Sequence, residues 1–149
     1  MKTAFFIGHR DAPNDIFVVL YKTIMQQIEN FNVREFIVGR YGDFDRMAAR
    51  AVIAAKKRHA NITLTLLLPF HPAERPMELP EGFDNSIYFE GMERVPRRAA
   101  IICANHRMAM DCDVLIAYVT RPLGNAWDLL EYVKKRKDVH IVNLAKQRI

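Results

Sequence analysis

Several features that would place this chain in a well-known class are scarce or missing. Cys103 and Cys112 are its only cysteines, and they point to different faces of one predicted helix, so no disulfide is expected. No apolar run reaches the roughly 18 residues of a transmembrane helix, and no small-residue cleavage site precedes the first predicted strand. We therefore expect neither a disulfide-stabilised secreted protein nor a membrane protein, and the expected location is the cytoplasm.

Motifs of common catalytic and cofactor sites are also missing. The chain contains no G-x-G-x-x-G, no G-K-[ST], no H-E-x-x-H and no G-x-S-x-G segment. No metal site is expected, because four histidines lie on unrelated elements without ligand spacing and are interpreted as structural: His59, His71, His106 and His140. The net charge of +5, from 22 basic and 17 acidic residues, is too small to indicate nucleic-acid binding.

What the sequence does contain is a regular alternation of strand and helix patterns. Short apolar runs without polar alternation are typical of strands covered on both faces of a parallel sheet. The order strand-helix-strand-helix-strand-loop-helix-strand-helix-strand predicts an α/β fold, a single Rossmann-like three-layer sandwich over residues 1–149 with a mainly parallel five-stranded sheet. The expected strand order is 3-2-1-4-5, and residues 145–149 are expected to form a frayed tail. The predicted strands span 3–7, 34–39, 62–68, 114–119 and 139–144, and the predicted helices span 17–31, 44–55, 95–110 and 126–133.

Residues 69–92 form an unusually long predicted loop. Four prolines and two glycines interrupt any periodic pattern there, and at most a short strand is expected around Ser86 to Phe89. Long loops in compact domains are often lids or binding loops, so this segment is a candidate lid. The alternative is a surface excursion whose aromatic residues cover a hydrophobic edge or a dimer contact.

Glycines that follow three of the predicted strands indicate where a ligand would bind. Gly8 ends the first strand and precedes His9 and Arg10, while Gly39 and Gly42 follow strand 2 and Gly124 follows strand 4. The carboxyl ends of parallel strands form the ligand-binding edge of such sheets, and backbone N–H groups in these loops bind anions. We predict a phosphate at the helix that begins near Asn125. The predicted ligand-binding residues are Gly8, His9, Arg10, Gly39, Gly42, Asp45, Asn105, Gly124 and Asn125.

Each of these residues also has a purely structural interpretation. The glycines suit tight turns in any case, and Arg10 has potential ion-pair partners in Asp11 and Asp15. Asp45 lies where a helix cap is expected, although it could also contact ribose hydroxyls. Asn105 is unfavourable in the middle of a helix, which indicates a specific hydrogen-bond partner. The only tryptophan, Trp127, could stack on a base, pack internally or form a dimer contact.

The arrangement of these segments resembles the SLOG superfamily of Rossmann-like domains, and within it the YpsA-like branch. The resemblance extends over nearly the whole chain in the right order. The matching segments are Phe6-Ile7-Gly8-His9-Arg10, Gly39-x-x-Gly42-x-Phe44-Asp45-x-x-Ala48, Pro69-Phe70, Asn105-x-x-Met108, Asp113-Val114-Leu115-Ile116-Ala117 and Asn125-Ala126 with Leu130-Glu131-Tyr132.

The resemblance implies a crevice for a nucleotide or nucleotide-derived molecule, and often self-association as a homodimer. Relatives include the Lonely Guy phosphoribohydrolases, the DNA-processing protein A family and nucleotide sensors. The hydrolases carry the segment P-G-G-x-G-T-x-E-E. The corresponding residues of this chain, 122–128, are Pro-Leu-Gly-Asn-Ala-Trp-Asp, so that Trp127 stands at the place of the catalytic glutamate. The resemblance therefore favours binding without turnover, in a sensing or regulatory role.

Two alternatives stay open beside non-catalytic binding. A nucleotide-processing enzyme that cleaves the N-glycosidic bond would use Arg98 or Arg107 together with Asp128 or Glu131. Single-stranded nucleic-acid binding would need a basic groove with aromatic platforms such as Tyr41, Tyr88, Phe89 and Trp127, and the modest net charge argues against it. The expected partners are therefore a small molecule and a second copy of the chain, without nucleic acid, membrane or a resident cofactor.

Overall fold

The computed structural model describes residues 1–146 and contains one six-stranded sheet covered by four α-helices. The end of the expected tail lies outside the described residues, while Leu144–Lys146 form a short 3-10 helix. The strands are β1 (Lys2–Gly8), β2 (Val33–Val38), β3 (Thr63–Leu67), β4 (Asn85–Ile87), β5 (Val114–Tyr118) and β6 (His140–Asn143), and the helices are α1 (Phe17–Phe31), α2 (Asp43–Lys56), α3 (Ala100–Asp111) and α4 (Asn125–Val133).

The sheet has the strand order β4-β3-β2-β1-β5-β6, and every neighbouring pair is parallel. The chain runs outward from β1 through β2 and β3 to β4, and then returns to the other side of β1 as β5. The strand order therefore reverses between β1 and β5, which is the place where open α/β sheets bind ligands. Gly8 lies opposite Tyr118 at the carboxyl end of this central pair.

Successive residues of the strands are buried against different helical layers, which makes the three-layer arrangement. Ala4 and Phe6 of β1 belong to the core under α1 and α2, whereas Phe5 and Ile7 belong to the core under α3 and α4. Side chains alternate between the two faces of a strand, so a strand buried on both faces must be apolar throughout. This explains the non-alternating sequence of β1 and confirms the predicted three-layer α/β fold.

The prediction of five strands was wrong, because the structure has a sixth strand, β4, inside the predicted long loop. β4 is only three residues long and lies at the edge of the sheet, where it pairs with β3. Asp84 positions it: its backbone N–H donates to the Leu64 carbonyl at 2.8 Å, and its carboxylate accepts from the Leu64 N–H at 2.8 Å and from Lys56 Nζ at 2.6 Å. These are long-range contacts that a local sequence pattern does not contain.

The third predicted helix begins five residues later than Val95. Val95 is extended, with φ −84° and ψ 135°, because the residue before a proline is sterically driven out of the helical region. Pro96 then precedes a 3-10 turn, Arg97–Ala99, and α3 begins at Ala100. Arg98 consequently lies in the 3-10 turn that precedes α3.

The segment from 69 to 92 is attached to the sheet at several points. Phe70, Tyr88 and Phe89 pack against the core beneath α3 and α4. Lys56 holds the segment from α2 through Asp84. These contacts agree with the interpretation of the segment as a cover for a hydrophobic edge.

Candidate functional site

A cavity of about 510 Å³ lies at the carboxyl ends of β1 and β5, between the beginnings of α2 and α4 and one face of α3. Its position is the point where the strand order reverses. A volume of this size is within the range of small-molecule sites, about 300–1,000 Å³. No residue of the 69–92 segment lines it, so the candidate lid does not border this cavity.

Most of the predicted ligand-binding residues line this cavity. Gly39 and Gly42 do not. The predicted residues that do are Gly8, His9, Arg10, Asp45, Asn105, Gly124 and Asn125. They come from four separate segments of the chain, which the parallel sheet brings to one edge.

The two glycines outside the cavity position two residues inside it. A Cβ on Gly42 would lie 2.9 Å from the Arg10 Cα, and Gly42 has φ +119°, a conformation that residues with side chains rarely adopt. A Cβ on Gly39 would lie 2.9 Å from Asp45 Oδ2. Gly42 therefore allows close approach of the backbone at Arg10, and Gly39 allows close approach of the Asp45 carboxylate.

Gly8 allows a similar approach between β1 and α2, and its replacement is the first testable prediction. A Cβ there would lie 2.5 Å from the ring of Phe44, which is fully buried and packs on Phe6 and Tyr118. We expect Gly8→Ala to lower the free energy of unfolding by about 2 kcal/mol, because the ring has no space to move away. Urea unfolding measures this loss.

The double variant Gly8→Ala/Phe44→Ala is the matched control. Because alanine at position 44 removes the Cγ and Cδ2 atoms that clash, the loss in the double variant should be smaller than the sum of the two single losses. Additive losses would contradict the proposed steric cause.

His9 braces the loops after β1 and β5. The ring is buried, and its Nε2 accepts a hydrogen bond from the Thr120 N–H at 3.0 Å, while the His9 N–H donates to the Tyr118 carbonyl at 3.2 Å. Burial lowers the pKa of His9, and the nearby Arg121 lowers it further. An acceptor Nε2 requires the neutral imidazole with its proton on Nδ1. The predicted residue thus lines the cavity and also has the structural role that the sequence left open.

Arg10 places a cation at the cavity mouth. Its side chain is exposed, and its guanidinium makes no hydrogen bond or ion pair with another residue among 1–146. Asp11, a potential partner from the sequence, instead binds Arg121 at 3.1 Å, and this contact lowers the pKa of Asp11. Of the two arginines that line the cavity, Arg10 is therefore the one whose donors are not already used by a carboxylate.

Asp45 lines the same part of the cavity and is half-buried. Its Oδ2 accepts a hydrogen bond from the Tyr41 N–H at 3.0 Å, which orients the carboxyl group. Burial raises the pKa of Asp45 to about 6, and the hydrogen bond from Tyr41 and the charges of Arg10 and Arg46 offset only part of this rise. The residue is not a helix cap, because Gly42 precedes α2 and no side chain caps it.

The first turn of α4 presents free backbone donors to the cavity. Asn125 is the first residue of the helix and not its cap; the preceding Gly124 has φ +93° and ψ 172°, and no side-chain cap is present. The first hydrogen bond of the helix runs from the Asp128 N–H to the Gly124 carbonyl at 3.1 Å. The N–H groups of Asn125 and Ala126 are thus without partners within residues 1–146, which suits an anionic group.

The opposite wall of the cavity is apolar and aromatic, and the sequence prediction missed it. His106, interpreted as structural from the sequence, packs its ring against Tyr132 with centroids 4.4 Å apart. Asn105 lies on the same wall, and no hydrogen bond links its side chain to another described residue. The spacing of Ile102, Asn105 and His106 puts them on one face of α3, and this pattern can be read from the sequence. The wall comprises Ile101, Ile102, His106, Leu123, Leu129 and Tyr132.

The four candidate catalytic residues are not brought together. Only Asp128 lines the cavity. Glu131 is paired with Lys134 at 2.6 Å, and Arg107 donates to the Glu90 carbonyl at 2.7 Å while it lies over the Phe89 ring. Arg98 is exposed in the 3-10 turn before α3. The arrangement proposed from sequence for an enzyme is therefore not assembled in this structure.

The remaining predicted features fall away from the cavity. Trp127 packs on the core beneath α4, with Lys134 Nζ 5.8 Å from its ring, so it has the internal packing role that the sequence left open. Within residues 1–146 there is no cluster of three or more His, Cys, Asp or Glu side chains arranged to hold a metal. Across the same residues, each helix is too short or too polar to cross a bilayer.

Comparison with known proteins identifies the class of fold. The three-layer arrangement with a parallel sheet is Rossmann-like, and a solved structure with a similar fold is that of the Moco carrier protein from Chlamydomonas reinhardtii. The two structures superpose with a TM-score of 0.50 at 16% sequence identity, over 97% of this chain and 92% of the other. At this identity the likeness concerns the fold alone. No protein-family model and no curated protein matches the sequence.

Proposed function

We propose that the cavity binds a nucleotide or nucleotide-derived small molecule and that the protein has a sensing or regulatory role. The observation that carries the proposal is the division of one cavity into an anion-binding side and an apolar, aromatic side. A nucleotide has the same division between its phosphate groups and its base.

The anion-binding side consists of Arg10 and the start of α4. The guanidinium of Arg10 has no carboxylate partner among the described residues, and the free N–H groups of Asn125 and Ala126 belong to a nine-residue helix whose dipole favours negative charge. A phosphate between these groups would receive charge-assisted hydrogen bonds from both.

The other side offers a flat apolar surface with polar groups at its edge. Tyr132 and His106 could stack on a base, and Asn105 has an amide that can donate and accept at the same time. Asp45 has one oxygen occupied by Tyr41, which leaves the other for a hydroxyl group of a sugar. A ligand that has a phosphate, a sugar and a base would use all of these groups.

The resemblance to the SLOG superfamily, YpsA-like branch, supports the same proposal. Ten residues of the matching segments line the cavity, among them Gly8, Arg10 and Asp45, and Gly42 lies against Arg10. A similar fold occurs in the Moco carrier protein. We propose that the crevice of this chain holds a small molecule.

A thermal-shift screen of nucleotides, cyclic dinucleotides and NAD-derived compounds tests the proposal. A compound present at 100 times its dissociation constant should stabilise the protein by about 2.7 kcal/mol. For a chain of this length the midpoint should rise by roughly 5–10 °C. The proposal is wrong if no compound in the panel raises the midpoint.

A second candidate function is hydrolysis of the N-glycosidic bond of a nucleotide. It is favoured by one observation: Asp45 and Asp128 both line the cavity, and a carboxyl group with a pKa of about 6 is suited to general acid catalysis. Chromatography of nucleoside monophosphates incubated with the protein distinguishes the two functions. Released free base that is lost in both Asp45→Asn and Asp128→Asn would establish the enzyme, and binding without release would support sensing.

Self-association is the proposed assembly. Three exposed apolar side chains, Ile102, Leu123 and Tyr132, surround the mouth of the cavity. A mouth of this kind is suited to contact with a second copy of the chain. Light scattering after size-exclusion chromatography should give a mass of at least twice the 17.3 kDa of one chain, and a mass of one chain would contradict this assembly.

A further inference from the structure

The carboxyl group of Asp45 lies beside the cation that is proposed to bind the ligand. Arg10 is close enough to Asp45 for its charge to act on the carboxylate, and both residues line the cavity. Gly42 lies against the backbone of Arg10 and Gly39 lies against the carboxylate of Asp45, without room for a side chain at either glycine. The Tyr41 N–H donates to Asp45 Oδ2 at 3.0 Å and so orients the carboxyl group beside Arg10.

The other cations around Asp45 form no ion pair with it. Arg46, on the same helix, is paired with Asp43, although its charge also lowers the pKa of Asp45, and Arg121 is paired with Asp11. The remaining titratable groups that line the cavity are His9, whose Nε2 accepts from Thr120, Asp128 on α4, and His106 and Tyr132, whose rings pack together, with Tyr41 beside Asp45. Asp45 is therefore a carboxylate without an ion-pair partner among the described residues, and the charge of Arg10 acts on it.

We propose, on the basis of the function proposed above, that Asp45 takes up a proton when an anion binds at Arg10, so that the site binds its ligand together with a proton. A bound anion neutralises Arg10 and adds negative charge beside Asp45, and both effects favour the protonated carboxyl group. By linkage, protonation of Asp45 must strengthen anion binding by the same factor. Because burial already raises the pKa of Asp45 to about 6, the exchange falls in the physiological range of pH.

Sulfate is the probe that tests this coupling, because its charge stays constant over the relevant range whereas a phosphate monoester titrates near pH 6. NMR titrations give the dissociation constant of sulfate at pH 5.0 and pH 7.5. We expect binding to be about three- to tenfold tighter at pH 5.0, the change that corresponds to a shift of the Asp45 midpoint by about half a unit to one unit. The carboxyl ¹³C signal of Asp45 reports that midpoint directly, with and without sulfate.

Two variants separate Asp45 from other groups that titrate. Asp45→Asn should bind sulfate with little dependence on pH, and at pH 7.5 as tightly as the unchanged protein does at pH 5.0. Asp43→Asn, two positions away on the exposed side of the same helix, is the matched control and should keep the original pH profile. In the protein without sulfate, Arg10→Ala should raise the Asp45 midpoint.

The outcomes distinguish the coupling from the binding function on which it rests. Sulfate binding that does not change with pH, or a pH dependence that survives in Asp45→Asn, overturns the coupling and leaves the binding function intact. An absence of sulfate binding at both pH values removes the anion subsite, and both proposals then fail.

Discussion

Asp45→Asn is expected to stabilise the protein at pH 7.5 by about 3 kcal/mol, although it removes a charged side chain from the candidate site. The pKa of Asp45 is raised from 3.8 to about 6, and each unit corresponds to about 1.36 kcal/mol. Ionisation is therefore more costly in the folded than in the unfolded chain. Asparagine keeps an oxygen that can accept the hydrogen bond from Tyr41, and it avoids this cost.

The gain should depend on pH in a defined direction. A group with a raised folded-state pKa contributes no penalty below the unfolded value, and the penalty grows as pH rises through the interval from 3.8 to about 6. We expect a gain of about 1 kcal/mol at pH 4.5 and about 3 kcal/mol at pH 7.5, measured by urea unfolding.

Asp43→Asn is the control for the stability measurement as well. Its side chain is exposed and paired with Arg46, so its loss should change stability by less than about 0.5 kcal/mol. A loss of stability in Asp45→Asn at pH 7.5 would mean that Arg10 and Tyr41 outweigh the cost of burial.

Arg10→Ala is expected to weaken binding of any compound found in the screen by roughly 10- to 150-fold. Hydrogen bonds that involve charged groups contribute about 1.5–3 kcal/mol each. Because Arg10 is exposed and its guanidinium has no ion pair with the described residues, the free energy of unfolding should change by no more than about 0.5 kcal/mol. Isothermal titration calorimetry and urea unfolding measure the two effects separately.

Arg58→Ala is the matched control for Arg10→Ala. It removes the same charge from an exposed position after α2, away from the cavity, and its affinity should stay within about twofold of the unchanged protein because the charge is distant and screened. Equal losses in the two variants would show a general charge effect, and the assignment of the anion subsite to Arg10 would then be wrong.

The positions of the central strands could be predicted because both faces of the sheet are buried. A strand such as β1 then needs four consecutive apolar residues, Ala4 to Ile7, and this pattern is local. The same reasoning gave the order of the central strands and placed Gly8 and Arg10 at the ligand-binding edge. The sequence allows for a short strand near Ser86, but it does not predict the place of this strand as the sixth of the sheet, because its pairing depends on Asp84 and Lys56, which are 28 positions apart.

The polar half of the candidate site was predicted better than the apolar half. Arg10, Asp45 and Asn105 stand out because polar residues after a strand or in the middle of a helix need an explanation. Ile102 and Tyr132 do not stand out, because apolar residues on a helix usually belong to the core; here they are 48% and 44% exposed at the cavity. Only the packing of α3 beside α4 reveals which face of each helix is left uncovered.

A crystal structure of the protein with the most stabilising phosphate-containing compound tests the central claim most directly. The account predicts that the phosphate lies between the Arg10 guanidinium and the N–H groups of Asn125 and Ala126, within about 2.7–3.2 Å of their nitrogens. It also predicts that the ring of the compound lies against Tyr132 and His106. A compound bound outside this cavity, or one whose phosphate points away from Arg10, would contradict the account.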